Sequence, residues 1–186
     1  MNPIAIIEKY YQKDSALYET LMIHSRAVQQ KALEIVRRNP HLGADEQFVA
    51  EAALLHDIGI FKTDAPRIFC QGSYPYIAHG YLGADLLRQE GFPKHALVCE
   101  RHTGCGLSVQ MIKERALPVP CRAMEPVSIE EQIICFADKF YSKTRLNEEL
   151  ALATVRTKMA ALGSLNKFDD WYLLFYGEKL SPLETL

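Results

Sequence analysis

No apolar run in the 186-residue chain approaches the about 18 residues that a bilayer crossing needs, so no membrane span is expected. Strongly basic stretches are also missing. Lys and Arg number 21 against 23 Asp and Glu, a formal net charge of −2. That balance argues against a nucleic-acid partner, which requires a cationic surface to neutralise phosphates. Cysteine is sparse and unpaired in pattern: Cys70, Cys99, Cys105, Cys121 and Cys135 are odd in number, scattered and without a CxxC. They read as reduced thiols of a cytoplasmic protein, not as a disulfide frame or a zinc knuckle. The start, Met1-Asn2-Pro3-Ile4, lacks the basic segment and apolar core of a secretory leader. Internal repeats, low-complexity tracts and strand-like alternation are absent from the pattern as well.

What is present is helical periodicity. An apolar share of 48% with 24% charged residues is that of an ordinary globular chain, long enough to bury one sizeable core. Pro3 opens a short helix over about Ile4 to Gln12. A longer one follows from Ser15 to Arg38, stopped by Asn39-Pro40, with Leu17, Leu21, His24, Val28, Ala32 and Ile35 on one stripe. Asp45 caps a helix reaching Asp57, whose inner face is Val49, Ala52, Ala53 and His56. Gly59 is placed to end it in a left-handed turn. Residues 59–78 have no clear period and read as a loop or flap. Further helices are expected from His79 to Glu90 and from Pro93 to Thr103. A short one is expected over 107–116, and another begins at the Ser128-Ile129-Glu130-Glu131 capping box. Asn147-Glu148-Glu149 reads as the cap of a final helical section reaching about Lys158. The segment Trp171-Tyr172-Leu173-Leu174-Phe175-Tyr176 reads as closing the core, with a homodimer interface as the alternative.

The chemistry lies in what occupies these apolar faces. His24, His56 with Asp57, His79, His102 and Asp138 place six ionisable, metal-competent side chains on five inward faces. Burying one such group costs free energy unless it is paired or bound to a metal. A lone inward His is usually a hydrogen-bonded core residue. Six on five faces, with few Lys or Arg inside to pair them, point to divalent-cation ligands. His41 fits a polar turn, and His95 a helix start with a supporting role toward His102 at most. Mixed imidazole and carboxylate ligation suits one or two ions of Fe, Mn, Co, Ni or Zn, with Mg a further candidate.

The order His24, His56-Asp57, Asp138 resembles the HD superfamily of metal-dependent phosphohydrolases, and His56-Asp57-Ile58-Gly59 is the tetrad of its HDIG subgroup. Ile77-Ala78-His79-Gly80, Glu100-Arg101-His102-Thr103-Gly104 and Glu131 to Lys139 resemble the blocks that follow in that family. The likeness covers about residues 18–145 and implies a single HD domain, an all-α compact helical bundle with the metal site in its core. About residues 146–186 then form a C-terminal helical extension. Diadenosine tetraphosphate hydrolases of the HD type and uncharacterised HDIG proteins are similar in carrying the two extra histidines. The resemblance implies that His24, His56, Asp57 and Asp138 hold one metal and that His79 and His102 bind a second, with Asp57 bridging. It implies hydrolysis of a nucleotide, dinucleotide or other small phosphoester by a metal-activated hydroxide, with Asp57 as the catalytic residue. A di-iron oxygenase of the same fold and a non-catalytic metal- or nucleotide-binding regulatory domain are the competing classes. The GYP motif of cyclic-dinucleotide phosphodiesterases is absent. Ile60 stands where the HDIG pattern often has a lysine. Lys62, Arg67, Arg101 and Lys139 are the phosphate-binding candidates, chosen by charge and position alone.

Overall fold

The computed structural model describes residues 1–183, and most of its helices start where a side chain can cap them. Asn2 accepts from the Ala5 amide ahead of α1 (Pro3–Tyr10), with Pro3 in the first turn, where its missing N–H is not needed. Ser15 caps α2 (Ala16–Arg38) and Asp45 caps α3 (Glu46–Leu55) in the same way. After α3 come 3-10 turns and a short antiparallel pair, β1 (Asp64–Ala65) with β2 (Cys70–Gln71). Then follow α4 (His79–Gln89) and α5 (Pro93–Arg101), which Gly91-Phe92-Pro93 separates. Ser108 caps α6 (Val109–Glu114), and Ser128 caps α7 (Ile129–Asp138). A hairpin of β3 (Tyr141–Ser142) and β4 (Arg145–Glu149) precedes α8 (Leu152–Ala161) and α9 (Leu165–Tyr176), which ends at Gly177 with a φ of 73°. The fold is all-α with two minimal sheets.

The long helix α2 runs through two apolar clusters. Leu21 packs with Leu55, Ile58, Ala84, Leu87 and Ala96. Val28, Ala32 and Ile35 pack with Val49, Ile134, Phe136, Phe168 and Phe175. His24 sits on the same stripe between Leu21 and Val28, so it enters the interior at the junction of the clusters. The aromatic segment of α9 belongs to the second cluster. Trp171 is 5% exposed and its Nε1 donates to Gln132 Oε1 at 3.0 Å. Trp171 and Phe175 thus close the core as expected, while Leu173 and Leu174 of the same segment are exposed.

Three local expectations are corrected. Gly59 does not adopt a left-handed turn, since its φ is −84°. Residues 59–78 are not a structureless flap. Three 3-10 turns and the β1–β2 pair fold them down, burying Thr63, Ile68 and Cys70. Asn147-Glu148-Glu149 is not a helix cap. It lies in β4, with Asn147 at a φ of 65°, and α8 begins at Leu152. Strand pairing to β3 and the burial of Leu150 outweigh the local cap signal there.

Candidate metal centre

Three helices end at one place. His56 follows the last residue of α3, His102 follows the last residue of α5, and Asp138 is the last residue of α7. A helix C-terminus leaves carbonyls without intrahelical partners and carries partial negative charge. Both properties serve the site. His56 Nδ1 lies 2.7 Å from Ala53 O, and His102 Nδ1 lies 2.7 Å from Cys99 O. His79, first residue of α4, repeats this toward Tyr76 O of the preceding 3-10 turn at 2.6 Å. A carbonyl only accepts, so each Nδ1 carries a proton, and in the neutral ring each Nε2 presents its lone pair inward. The same supporting bond orients metal-ligating histidines in general.

The inward atoms form two groups that share one carboxylate. His24, His56, Asp57 and Asp138 are one ligand-competent set, and Asp57, His79 and His102 the other. Asp57 divides its oxygens between them. Oδ2 lies 3.0 Å from His24 Nε2 and 3.0 Å from His56 Nε2. Oδ1 lies 3.4 Å from both His79 Nε2 and His102 Nε2. Asp138 Oδ1 closes the first set at 3.0 Å from His24 Nε2 and 3.4 Å from His56 Nε2.

The donor set fits a divalent ion on two counts. First, these close approaches lack hydrogen-bond angles. His24 Nε2, His56 Nε2 and both Asp57 oxygens are buried without a hydrogen-bond partner. His79 Nε2 and His102 Nε2 stand 3.0 Å apart with lone pairs facing. Second, the spacings suit coordination. Ligand atoms about 2.1 Å from an ion, at ordinary coordination angles, lie roughly 3.0–3.4 Å apart.

The electrostatics follow. Burial acts to raise the Asp57 carboxyl, but Lys143 above all, and then His56, hold it well below the usual carboxylate range. Asp138 is likewise low despite burial, through Lys139 and the close approach of His24 and His56. Burial pushes His79 down to about 3, and His102 is lowered for the same reason. His56 goes the other way. Burial opposes its protonation, yet Asp57 and Asp138 bring it up to about 9.

Of the cations named from sequence, Lys139 Nζ donates to His102 O at 2.8 Å and Asp138 Oδ2 at 2.7 Å, fastening α5 to α7. Arg101 pairs with Glu131, Nη1 to Oε2 at 2.9 Å, and Lys62 Nζ lies over the Phe61 ring at 6.0 Å. Arg67 lines a cavity of about 330 Å³ together with Tyr76, Asp138, Tyr141 and Lys143. Lys143 escaped the sequence reading, although its Nζ lies 2.5 Å from Asp57 Oδ2. A lysine in a polar stretch five residues past Asp138 gives no periodic signal. Tyr11 escaped too. Its hydroxyl donates to Ile58 O at 2.7 Å and accepts from the Phe61 amide at 3.4 Å, clamping the turn that follows Asp57. His95 faces Glu51, Phe48 and Phe92, apart from the centre.

The HD domain family model matches residues 21–142, which include all six candidate ligands. An uncharacterized protein of Methanocaldococcus jannaschii is 33% identical over 130 residues, covering 68% of this chain and 69% of that protein. Two proteins named tRNA (cytidine(56)-2'-O)-methyltransferase are each 34% identical. The one from Picrophilus torridus aligns over 103 residues, 55% of this chain and 26% of its own. The one from Thermoplasma volcanium aligns over 124 residues, 66% of this chain and 32% of its own. The chain thus spans about a third of those two proteins at most. No solved structure matches. With a family match over well more than half its length and a buried His/Asp cluster able to hold a metal ion, the chain belongs to the HD domain family.

Proposed function

We propose that this protein is a metal-dependent phosphohydrolase acting on a small phosphoester, with nucleotides as the first class to assay. The observation that carries the reading is the division of Asp57: one carboxylate serves two ligand sets, Oδ2 toward His24 and His56 and Oδ1 toward His79 and His102. A structural single-ion site has no use for the second set.

His24, His56, Asp57 and Asp138 would hold one divalent ion, and His79 and His102 a second with Asp57 between. Such ions, when bound, lower the pKa of a coordinated water and neutralise phosphoryl charge. The residues contribute the rest. Backbone carbonyls fix three histidines in the ligating tautomer, so little reorganisation is required on loading. Asp57 would orient the attacking water, and Arg67 would meet phosphate oxygens in the adjoining cavity. Arg101 and Lys139, engaged with Glu131 and with Asp138 and His102, hold the scaffold; Lys62 is directed elsewhere. Hydrolysis adds water across the P–O ester bond: its oxygen ends on phosphorus and one proton on the departing alcohol.

The tRNA activity named for two relatives is not carried over, because at most a third of each is matched and this chain has a net charge of −2. The test is a panel of nucleotides, dinucleotides and simple phosphoesters with added Mn or Fe, reading phosphate release and oxygen uptake together. Phosphate release that collapses in Asp57→Ala and His56→Ala is expected. Unchanged turnover in both variants overturns the reading, and oxygen uptake without phosphate release replaces it with the oxygenase class.

A further inference from the structure

The β3–β4 hairpin delivers a charged side chain to the centre from outside the matched family stretch, which ends at residue 142. Ser142 pairs with Arg145, so Lys143 and Thr144 form the tip of the hairpin. That tip is locked. Ser142 Oγ accepts from the Thr144 amide at 3.3 Å and lies 3.0 Å from Thr144 Oγ1. A two-residue loop tied in this way fixes the direction of the side chain it presents. Lys143 reaches inward until its Nζ is 2.5 Å from Asp57 Oδ2, with the side chain 11% exposed. No other anion among the described residues lies within ion-pair distance, and the Tyr76 ring is 5.9 Å away.

An ammonium has three donors. Lys139 shows how a structural lysine in this centre satisfies them: a backbone carbonyl and the adjacent carboxylate take two. Among the described residues Lys143 has no carbonyl partner, and its approach to Asp57 is an ion pair without hydrogen-bond angles. It does line the cavity of about 330 Å³ that Arg67, Tyr76, Tyr141 and Thr144 also line and that opens beside Asp138. Arg67 has no ion-pair or hydrogen-bond partner among the described residues. Two cations, Arg67 without a partner among the described residues and Lys143 with Asp57 as its one ion-pair partner, therefore line one small cavity next to the ligand sets, and tyrosines line it too.

Resting on the phosphohydrolase reading above, we propose that Lys143 is the residue that binds the phosphoryl group of the substrate, with Arg67 as its partner across the cavity. A cavity of this size is at the small end for ligand sites, so the substrate is a compact phosphomonoester whose organic part contacts Tyr76 and Tyr141. The lysine acts by contact and charge; it does not ligate metal.

The experiment measures binding of inorganic phosphate to metal-loaded protein by calorimetry, with metal content by elemental analysis and stability by thermal unfolding. Lys143→Met is expected to keep wild-type metal stoichiometry and weaken phosphate binding about 10- to 100-fold, the worth of one charge-assisted contact. Lys143→Arg should recover most of that affinity, and Arg67→Met should show a smaller loss. Should Lys143→Met fail to fold, Lys143→Gln is measured identically. Wild-type phosphate affinity in the uncharged variant overturns the assignment and leaves the phosphohydrolase reading standing. Loss of metal in it overturns the assignment by making Lys143 part of the ion-holding structure. Absence of phosphate binding by the wild-type protein overturns the assignment, while phosphate release in the substrate panel decides the phosphohydrolase reading separately.

Discussion

Substituting Gly59 by alanine probes the assembly of the centre without touching a ligand. A Cβ at position 59 would lie 2.3 Å from His79 O, 2.5 Å from Gly83 N and 2.8 Å from Gly83 Cα, all backbone atoms of α4. No side chain can swing away to make room. The turn after Asp57 and the start of α4 must separate, by roughly 1 Å if ordinary carbon contact distances are to be restored. Overpacking of this kind costs about 1–3 kcal/mol. For a chain of this size that corresponds to a fall in Tm of roughly 2–12 °C. The movement has a direction as well as a cost. It carries His79 away from Asp57 Oδ1, from which its Nε2 is now 3.4 Å distant, while His24, His56 and Asp138 keep their supports on other helices. Gly59→Ala should therefore lose metal from the His79–His102 set first, lowering stoichiometry from two toward one. Gly43→Ala is the control. Its φ of 65° makes alanine strained there, but nothing lies within 4 Å of the added atom. It should cost about 1 kcal/mol with metal content unchanged. Thermal unfolding and elemental analysis of the two variants side by side decide the matter. A Gly59→Ala protein with wild-type Tm and full metal content would refute the close-approach argument.

Three further outcomes are expected. Titrating chelated protein with Mn or Zn to a hundredfold excess over Kd should stabilise it by about 2.7 kcal/mol for each ion bound, seen as a Tm rise that Asp57→Asn abolishes; an equal rise in that variant would contradict Asp57 as the shared ligand. In chelated protein, stability should peak near pH 6.5. Below it the unfolded chain gains protons that His79, held at about 3, refuses, so each pH unit of acidification costs about 1.4 kcal/mol through His79, and the lowered His102 steepens the same limb. Above it the contribution of His56 is lost as pH rises toward about 9. Urea unfolding across pH 5–9 reads both limbs, and a flat profile would sink the assignment. Tyr11→Phe leaves Ile58 O buried without its donor and should cost about 1–3 kcal/mol while raising the exchange rate of the Phe61 amide; an unchanged rate would show that the clamp is idle.

The six candidate ligands were legible because each breaks the chemistry of an otherwise apolar helical stripe, a local signal that a sequence carries openly. His24 between Leu21 and Val28 is the clearest case. What stayed hidden depends on contacts between distant segments. Gly59 reads locally as a helix stop, but its requirement comes from α4, which passes too close for a Cβ. Asn147-Glu148-Glu149 has the composition of a helix start, and only pairing with β3 converts it to a strand. Lys143 reads as a solvated lysine because nothing near it in sequence says that the hairpin tip turns toward Asp57.

The two lysines after Asp138 show why position in the fold, not charge, assigns a role. Lys139 and Lys143 are four residues apart, both are buried beside the same carboxylates, and both are held above the ordinary lysine range: burial opposes the charge, and Asp138 in one case and Asp57 in the other restore it. Their donors separate them. Lys139 directs its protons at His102 O and Asp138, binding the end of α5 to the end of α7. Removing it would leave a buried carbonyl and carboxylate uncompensated, a loss felt by the ends of two helices. Lys143 comes from the tip of the β3–β4 hairpin, has Asp57 as its ion-pair partner and lines the cavity beside Asp138. A charge fastened between two helices holds them together, whereas one with a single carboxylate partner that also lines a cavity can take a second anion there. The helices thus set where ions could be held, and the hairpin sets what could be brought to them.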